Sequence, residues 1–390
     1  MFYWICLLLV LVPLLLERRR LVRRRNKVPV RIHVHGSRGK TSITRELAAV
    51  LRAKGMRVLA KTTGDRPEYI LPNGHIVPIR RIGPARIKEH IRTLDKAATL
   101  GVEALVVEGM ALQAETVYLS ERILQATHAV IANTRPDHAE TMGAGREGVL
   151  QTLRQMIPLN GKLFTCSEAG AAEIKAGADE KGTPCVVVSA PLTAQAPAVA
   201  RILADALPAQ GSGSHCQKTS SFSIFSPPLK IEALGMPVHV YDFFSANDVV
   251  SSELLIEHCP LPPDFYNIAL VSTRADRPLR TRAFMNWIAA QPRFDAIAVT
   301  GSHTGYALLS AWSGAGRHRL FRVLPWVSPE RLILAIVKKA RAREKRGATV
   351  TALGNVHGYG EKWRQALSQG HTQFSPSPAH QTNKEKKHAD

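Results

Sequence analysis

The chain has 390 residues, enough for two domains, and with 45% hydrophobic and 21% charged residues its composition is that of a globular protein. The formal net charge is +21, yet aromatic residues make up only 6% of the chain, which argues against a nucleic-acid-binding surface of interleaved basic and aromatic side chains. The five cysteines are scattered without a C-x-x-C pair, which argues against a disulfide framework or a zinc site and is typical of a reducing compartment.

The N-terminus joins an apolar segment to a basic one. Residues 1–16 are apolar apart from Tyr3 and Pro13, and a run of arginines begins at Arg18. We predict a transmembrane anchor at 1–16 and a polybasic juxtamembrane segment at 17–28, although a bilayer core takes about 20 helical residues and tilt or thinning must supply the difference. Since basic segments stay on the cytoplasmic side, we expect a single-pass protein of the cell membrane with a cytoplasmic body. The alternative is a cytosolic leader.

A predicted strand, a glycine-bounded loop and an amphipathic helix come next. Val30, Ile32 and Val34 alternate with polar residues as in a strand, and the loop follows. Backbone N–H groups at such a helix start bind phosphate, a lysine adds positive charge, and a threonine hydroxyl suits Mg2+. Because the first glycine of the full phosphate-loop pattern would fall at Val34, this is a shorter form, and a chance turn is the alternative. The predicted phosphate-binding residues are Gly36, Ser37, Arg38, Gly39, Lys40, Thr41 and Ser42.

Further strands alternate with helices in the first part of the chain, at Arg57–Lys61, Glu103–Val107 and His128–Ala132. This alternation indicates an α/β fold with a parallel sheet, in which ligands gather at the carboxyl ends of the strands. Glu108 follows one of these strands, and His138 lies in the polar loop after the next. We therefore expect both to join Thr41 in a magnesium site, with a purely structural role for either as the alternative.

Two more polar loops are candidates for anion binding. Lys61 begins a Lys-Thr-Thr-Gly segment that can hold a phosphate or a substrate carboxylate, or form an ordinary turn. Arg274 and Arg277 flank Asp276 later in the chain, and a surface ion pair is the alternative interpretation. The functional interpretation is an arginine of a second domain that closes on the γ-phosphate and neutralises its charge during phosphoryl transfer.

Composition marks the predicted domain boundaries. The segment 208–228 is rich in Gly, Ser and Pro and is predicted to be a linker, which makes 29–207 the ATP-binding domain. Residues 229–372 again alternate strands and helices and form a smaller α/β domain, and 373–390 is predicted to be a disordered tail. The predicted strands of the second domain lie near Val238–Phe243, Asn267–Ser272, Ala296–Thr300, Leu320–Leu324 and Ala348–Leu353.

A set of short segments occurs in the order typical of one family: GSRGKTSITR, KTTG, VVEGMAL, NTRPDHAETMG, FFSAND, RADRPLRT and GNVHG. Together, between Pro29 and Gly358, they resemble the membrane-anchored ligase subunit of poly-γ-glutamate synthases, a relative of the Mur ligases and folylpolyglutamate synthases. The resemblance implies a Mur ligase-like P-loop domain followed by a smaller α/β ligase domain. It also implies an ATP- and Mg2+-dependent amide ligase, which activates the γ-carboxylate of glutamate or polyglutamate as an acyl phosphate for attack by a glutamate amine.

The resemblance further implies roles for individual residues and for partners. The implied catalytic residues are Lys40, His138, Arg274 and Asp276, and the implied metal ligands are Thr41, Glu108 and His138. Asn133 and Asp137 would shape the loop after the fourth strand, and Asn133, Asn247 and Asp248 would line the nucleotide or substrate cleft. The implied partners are glutamate or polyglutamate, the membrane and other membrane subunits of a synthase complex, with a homo-oligomer as an option and no nucleic acid.

The sequence departs from the family pattern in places. The helix APAVARILADAL lacks the asparagine that the family uses near the adenine, Ser-rich Gly211–Pro228 replaces a Pro-Gly turn, and Glu140 stands where the family usually has Asp. The phosphate chemistry is therefore better supported than the choice of nucleotide or acceptor. The alternatives are another Mur-type ligase acting on a cell-envelope acceptor and a non-catalytic, membrane-tethered nucleotide-binding subunit.

Overall fold

The computed structural model describes residues 2–63, 67–81, 83, 85–135, 142, 145–166, 170–191, 194–207, 228–244, 246, 248–275, 278–311, 319–368 and 373–374. The chain divides into two compact units, Met1–Phe222 and Ser223–Asp390, and each is built around its own sheet. Both sheets are mostly parallel and alternate with helices, so the predicted α/β fold class is confirmed. The predicted linker lies almost entirely outside the described residues.

The strands of the first unit are β1 (Val30–His35), β2 (Val58–Thr62), β3 (Glu68–Ile70), β4 (Ile76–Pro78), β5 (Ala104–Glu108), β6 (His128–Ile131), β7 (Lys162–Cys166) and β8 (Cys185–Val188). Its helices are α1 (Phe2–Asn26), α2 (Lys40–Ala53), α3 (Lys88–Leu100), α4 (Ala114–Leu124), α5 (Gly145–Arg154), α6 (Ala171–Glu180) and α7 (Gln195–Asp205). The strands form an eight-stranded sheet in the order β4-β3-β2-β5-β1-β6-β7-β8. Among the strand pairs described in this sheet, β2–β3 and β3–β4 are antiparallel and the others are parallel.

Helices cover both faces of this sheet, and the strand sequences reflect it. Val34 packs on the side of α2 together with Leu47, whereas Leu105 packs on the opposite side with Leu94 of α3. Every residue of β5 is buried, which is typical of a parallel strand that is covered on both faces. The near-continuous apolar run of β5 is therefore what this position in the sheet requires.

Strand β1 lies between β5 and β6 and pairs with both in parallel register. Val34 stands opposite Glu108, and His35 stands opposite Ile131. The loops that follow these three strands therefore leave the sheet side by side at one edge. This register brings the predicted phosphate loop next to Glu108 and Asn133, which are distant from it in sequence.

The N-terminal helix α1 runs unbroken past the predicted boundary at residue 16 and ends on the body of the first unit. The buried Arg25 donates hydrogen bonds of 2.8 Å and 2.7 Å to the carbonyls of Ile123 and Arg122 at the end of α4, and Arg24 forms an ion pair with Asp95. The last part of the predicted juxtamembrane segment is thus docked on the protein.

The predicted spanning segment at 1–16 is not confirmed. Within the residues that the structure describes, no helix combines enough length with enough apolar character to cross a bilayer. The physical reason lies at residue 17, where the apolar half of α1 gives way to Glu17 and the arginines that begin at Arg18.

The strands of the second unit are β9 (Leu229–Ala233), β10 (Met236–Asp242), β11 (Phe265–Thr273), β12 (Ala296–Gly301), β13 (Leu320–Arg322), β14 (Gly347–Gly354) and β15 (Gln373–Phe374). Its helices are α8 (Val249–Glu257), α9 (Pro278–Ala289), α10 (Thr304–Ser310), α11 (Pro329–Ala342) and α12 (Tyr359–Ser368). They form a seven-stranded sheet in the order β13-β12-β11-β14-β10-β9-β15. The central strand β11 pairs in parallel with β12 and β14, and its residues are buried except at the first position.

The sequence analysis missed the short edge strands. The hairpin β3–β4 lies between the predicted strands Arg57–Lys61 and Glu103–Val107, where no strand was predicted. Strand β9 pairs antiparallel with β10 at the start of the second unit. The predicted disordered tail is wrong at its first two residues, because Gln373 and Phe374 pair with β9 as strand β15. Residues 375–390 lie outside the described part of the chain.

Candidate functional site

The phosphate loop between β1 and α2 has a backbone that only glycine suits at two positions. Gly36 has φ +131°, and a Cβ atom there would lie 3.0 Å from the backbone nitrogen atoms of Ala132 and Asn133. Gly39 has φ +77° and caps the start of α2 in the left-handed conformation. Such a turn directs the first N–H groups of α2 outward, where the positive end of the helix dipole favours an anion.

Asn133, which follows β6, holds the phosphate loop in place by hydrogen bonds to its backbone. Its carbonyl accepts a hydrogen bond of 3.2 Å from the Ser37 N–H. Its side chain accepts another of 3.2 Å from the Arg38 N–H and donates one of 3.0 Å to the Arg38 carbonyl. The Ser37 hydroxyl also donates to the Arg135 carbonyl at 2.5 Å. Asn133 is 5% exposed, so these contacts make it a support of the loop.

Lys40 folds back over the loop that precedes it. Its ammonium group donates hydrogen bonds of 2.7 Å to the Gly36 carbonyl and 3.2 Å to the Ser37 carbonyl. The lysine charge thus lies directly at the predicted phosphate-binding loop. Ser42 follows in the first turn of α2 and is half-buried.

Glu108 connects the phosphate loop to two neighbouring strands. Its Oε1 accepts a hydrogen bond of 2.9 Å from the Thr41 hydroxyl, and its Oε2 accepts one of 2.8 Å from the backbone N–H of Thr63. The carboxylate is 2% exposed. A buried carboxylate beside a threonine hydroxyl, next to a phosphate loop, is the kind of oxygen set that Mg2+ uses when phosphate oxygens and waters complete its shell.

These residues fit a magnesium ion that is shared with a phosphate ligand. Within the described residues, no group of three or more His, Cys, Asp or Glu side chains is placed to hold a metal by itself. The third predicted ligand, His138, and the neighbouring Asp137 and Glu140 lie outside the described residues.

Lys61 has a different environment from the one that its sequence suggested. Its side chain is fully buried, and Nζ lies 2.9 Å from Oε2 of Glu89 in α3. Arg81 binds the same carboxylate with Nε and Nη2, each at 2.9 Å. Burial lowers the pKa of Lys61, and the nearby Glu89 opposes that effect. Lys61 is thus engaged in a buried ion cluster between β2 and α3, and the segment contributes its Thr63 N–H to Glu108 instead.

Two residues at this edge were missed by the sequence analysis. Thr63 acts through its backbone, which leaves no signal in the sequence. His35 did leave one, because a histidine at an inward-facing position of a central strand is a buried polar group that must find partners. It bridges the phosphate loop and the segment after Glu108.

The second unit contains a small cavity of about 30 Å3 at the carboxyl ends of β11 and β14. Arg274, and Arg280 in the first turn of α9, line it together with Asn355. Ser272 also lines it, and its buried hydroxyl has no hydrogen-bond partner among the residues that the structure describes. Two guanidinium groups, a hydroxyl and a carboxamide form a lining that suits a carboxylate ligand.

The remaining predicted site residues of the second unit are only partly described. Asp276 and Asn247 lie outside the described residues. Asp248 begins α8 as its N-cap, and its Oδ1 accepts a hydrogen bond of 2.9 Å from the Ser251 N–H. This is a structural contact that an aspartate at a helix start commonly makes.

The chain is similar in sequence to two named capsule proteins. Residues 229–370 match a family model described as "Poly-gamma-glutamate synthase CapB C-terminal domain". Over 376 residues the chain is 24% identical to "PGA synthase CapB" of Bacillus subtilis (strain 168), covering 90% of this chain and 93% of that protein. It is 30% identical over 187 residues to "Capsule biosynthesis protein CapB" of Bacillus anthracis, covering 47% of this chain but only 40% of that relative.

Solved structures share the fold. Folylpolyglutamate synthase of Mycobacterium tuberculosis complexed with ADP superposes with a TM-score of 0.63 at 16% identity, over 90% of this chain and 92% of that one. MurF of Acinetobacter baumannii superposes with a TM-score of 0.59 at 14% identity, over 90% and 79% respectively. The matched domain, the full-length relative and this fold together make the chain similar to CapB-type, Mur ligase-like proteins.

Proposed function

We propose that this chain is an ATP- and Mg2+-dependent amide ligase that joins glutamate units into poly-γ-glutamate. The observation that carries the proposal is the assembly of the phosphate loop, Lys40 and the Thr41–Glu108 contact at one edge of the first sheet. The similarity to a PGA synthase over nearly the whole chain supports the substrate class.

The reaction has two steps. A γ-carboxylate oxygen of the acceptor attacks the γ-phosphorus of ATP, and the bond from this phosphorus to the bridging oxygen breaks. ADP is the leaving group, and the acceptor becomes an acyl phosphate. The amine of an incoming glutamate then attacks the acyl carbon, the amide bond forms, phosphate leaves, and the amine proton is released. The chemistry needs positioning and charge neutralisation rather than a nucleophilic side chain.

The residues of the first unit divide this work. The N–H groups at the start of α2 bind the phosphates of ATP, and Lys40 exchanges its carbonyl partners for phosphate oxygens. Thr41 and Glu108 hold Mg2+, and His138 joins them. When bound, the ion screens the negative charge that develops on the transferred phosphoryl group.

In the second unit, Arg274 and Arg280 bind a carboxylate of the incoming glutamate in the cavity that they line. The Ser272 hydroxyl, which has no partner within the described part of the chain, supplies a further hydrogen bond to the same group. Asp276 and Asn247 stay predictions as site residues, as does association with other membrane subunits or with a second copy of the chain.

The apolar half of α1 inserts into a lipid surface. Its large side chains are exposed, including Phe2 at 73% and Trp4 at 70%, which is unusual for a helix that ends on a folded body. The test is to fuse residues 1–28 to a soluble reporter and separate membranes from the soluble fraction. Recovery of the fusion in the soluble fraction alone would contradict this part of the proposal.

The decisive experiment measures phosphate release from ATP and Mg2+ with a panel of amino acids, together with amide product. We expect turnover that depends on glutamate and yields one phosphate per amide bond. Turnover with another amino acid and a cell-envelope acceptor would favour the alternative Mur-type ligase. Nucleotide binding without amide product under any condition would favour a non-catalytic nucleotide-binding subunit.

A further inference from the structure

His35 is the last residue of β1 and stands directly before the phosphate loop, with 1% of its surface exposed. Its Nδ1 accepts a hydrogen bond of 2.8 Å from the N–H of Gly36. Its Nε2 lies 2.8 Å from the carbonyl of Ala111, an acceptor to which it must donate. The two partners therefore assign a neutral ring with its proton on Nε2.

The surroundings of His35 favour the same state. Burial, followed by the positive charge of Lys40 and the nearby His33, holds the pKa of His35 well below its usual range. The ring also packs closely against the backbone after Glu108, because a Cβ atom on Gly109 would lie 2.3 Å from the His35 Cδ2. The imidazole is thus held by a hydrogen bond at each ring nitrogen and by the close packing of Gly109 against Cδ2.

We infer that His35 is a positioning residue that fixes the phosphate loop and the Glu108 segment relative to each other. One ring nitrogen holds the first glycine of the loop, and the other holds Ala111 in the segment that begins after Glu108. The Thr41–Glu108 contact joins the same two segments but involves the groups proposed to bind Mg2+. His35 is a second connection that metal binding leaves intact. This inference rests on the proposed nucleotide site.

The two hydrogen bonds can be removed separately. His35→Asn keeps an amide oxygen near the Nδ1 position but cannot reach Ala111, whereas His35→Gln keeps an N–H near the Nε2 position but offers no acceptor to Gly36. His35→Leu removes both contacts at similar volume. The matched control is His90→Leu, since His90 is a fully buried histidine on α3 whose ring contacts His33.

The measurement is equilibrium binding of ATP to the full chain without Mg2+, and the factor by which Mg2+ tightens it. We expect His35→Gln to weaken metal-free binding about five-fold with the Mg2+ factor retained, the size of one lost hydrogen bond. His35→Asn should leave metal-free binding unchanged and reduce the Mg2+ factor. His35→Leu should change both quantities, and His90→Leu should change neither.

A second variant tests the same inference without changing the ring. Gly109→Ala should displace His35 and reproduce the effect of His35→Leu in protein whose circular dichroism remains native. If the Asn and Gln variants change both quantities equally, or neither, the inference is wrong. Loss of the fold in all four variants would mean that the ring serves the core, and would also overturn it. A wild-type chain that binds no nucleotide would overturn the proposed function as well, whereas unchanged variants would overturn this inference alone.

Discussion

The Thr41 hydroxyl donates a hydrogen bond of 2.9 Å to Oε1 of Glu108, which joins the first turn of α2 to the carboxyl end of β5. The other carboxylate oxygen is bound by the Thr63 N–H, so Glu108 meets the ends of two strands and one helix. In a parallel sheet this convergence follows from the pairing of β1 with β5, which sets Val34 opposite Glu108.

Replacing Glu108 by Gln should abolish the response to Mg2+. The amide keeps the size of the side chain but loses the charge that the ion needs, so we expect turnover to fall roughly 100-fold or more. The measurement is phosphate release over a range of Mg2+ concentrations. The control is Glu103→Gln, just before the same strand, where the carboxylate accepts a hydrogen bond from the Arg57 N–H. Normal Mg2+ dependence in the Glu108 variant would show that Mg2+ binds at another place in the protein.

Replacing Lys40 by Ala should remove turnover and leave the fold intact. The hydrogen bonds described for the ammonium go to carbonyls of the phosphate loop, so the thermal midpoint of unfolding should change little. Loss of a charge at the phosphates should lower turnover roughly 100-fold or more. Lys54→Ala is the matched control, because Lys54 caps the far end of the same helix and pairs with the exposed Asp205. Retained activity in the Lys40 variant would mean that phosphate binds at another place.

Replacing Gly36 by Ala should affect both stability and nucleotide binding. The substitution meets a strained φ of +131° and backbone atoms at 3.0 Å, so we expect a loss of about 2–4 kcal/mol in the free energy of unfolding. Gly55→Ala separates the two causes, because Gly55 has φ +83° but no atom within 4 Å of the added Cβ. Urea unfolding measures the loss of stability in each variant. Equal losses would show that the close approach of Gly36 to Ala132 and Asn133 adds nothing to the effect of the strained φ.

The ion cluster of Lys61, Arg81 and Glu89 should give the protein an acid-sensitive stability. Burial raises the pKa of Glu89, but the hydrogen bonds from Arg81 and Lys61 outweigh it and leave the pKa below the ordinary 4.5. A carboxyl group whose pKa is lowered by folding stabilises the protein at pH values above its pKa in the unfolded chain. This contribution is lost as the pH falls through its pKa in the folded protein.

Glu89→Gln should therefore destabilise the protein at neutral pH by about 3–5 kcal/mol, because Lys61 stays buried without its counter-charge. The difference in the free energy of unfolding between this variant and the wild-type protein should shrink as the pH falls below about 4.5. Urea unfolding at several pH values measures it. Glu68→Gln, which breaks a more exposed pair with Arg45, serves as the control. A difference that does not change with pH would contradict the predicted shift.

Replacing Arg274 by Ala should raise the KM for glutamate and leave the affinity for ATP within about two-fold, since the side chain lines a cavity of the second unit. We expect a rise of about ten-fold or more in KM, the effect of one charge-assisted hydrogen bond. Arg282→Ala on the exposed side of α9 is the matched control. An unchanged KM with reduced turnover would instead favour a role of Arg274 at the γ-phosphate.

The sequence by itself determined the α/β class, the main strands and the phosphate loop. These features depend on local signals, namely apolar runs that suit a doubly covered strand and glycines that suit a turn before a helix. The short strands β3, β4, β9 and β15 carry no such signal, because two to five residues at a sheet edge are held by the neighbouring strand rather than by their own pattern.

Only the tertiary structure decided what the polar residues do. Arg25 looked like part of a membrane-facing run, but its guanidinium binds carbonyls at the end of α4. Lys61 looked like an anion ligand, but Glu89, distant from it in sequence, lies against its ammonium group. A buried charge or imidazole must find a partner, and packing selects that partner from anywhere in the chain. For the same reason the link from His35 to Gly36 and Ala111 became visible only when the strands were placed side by side.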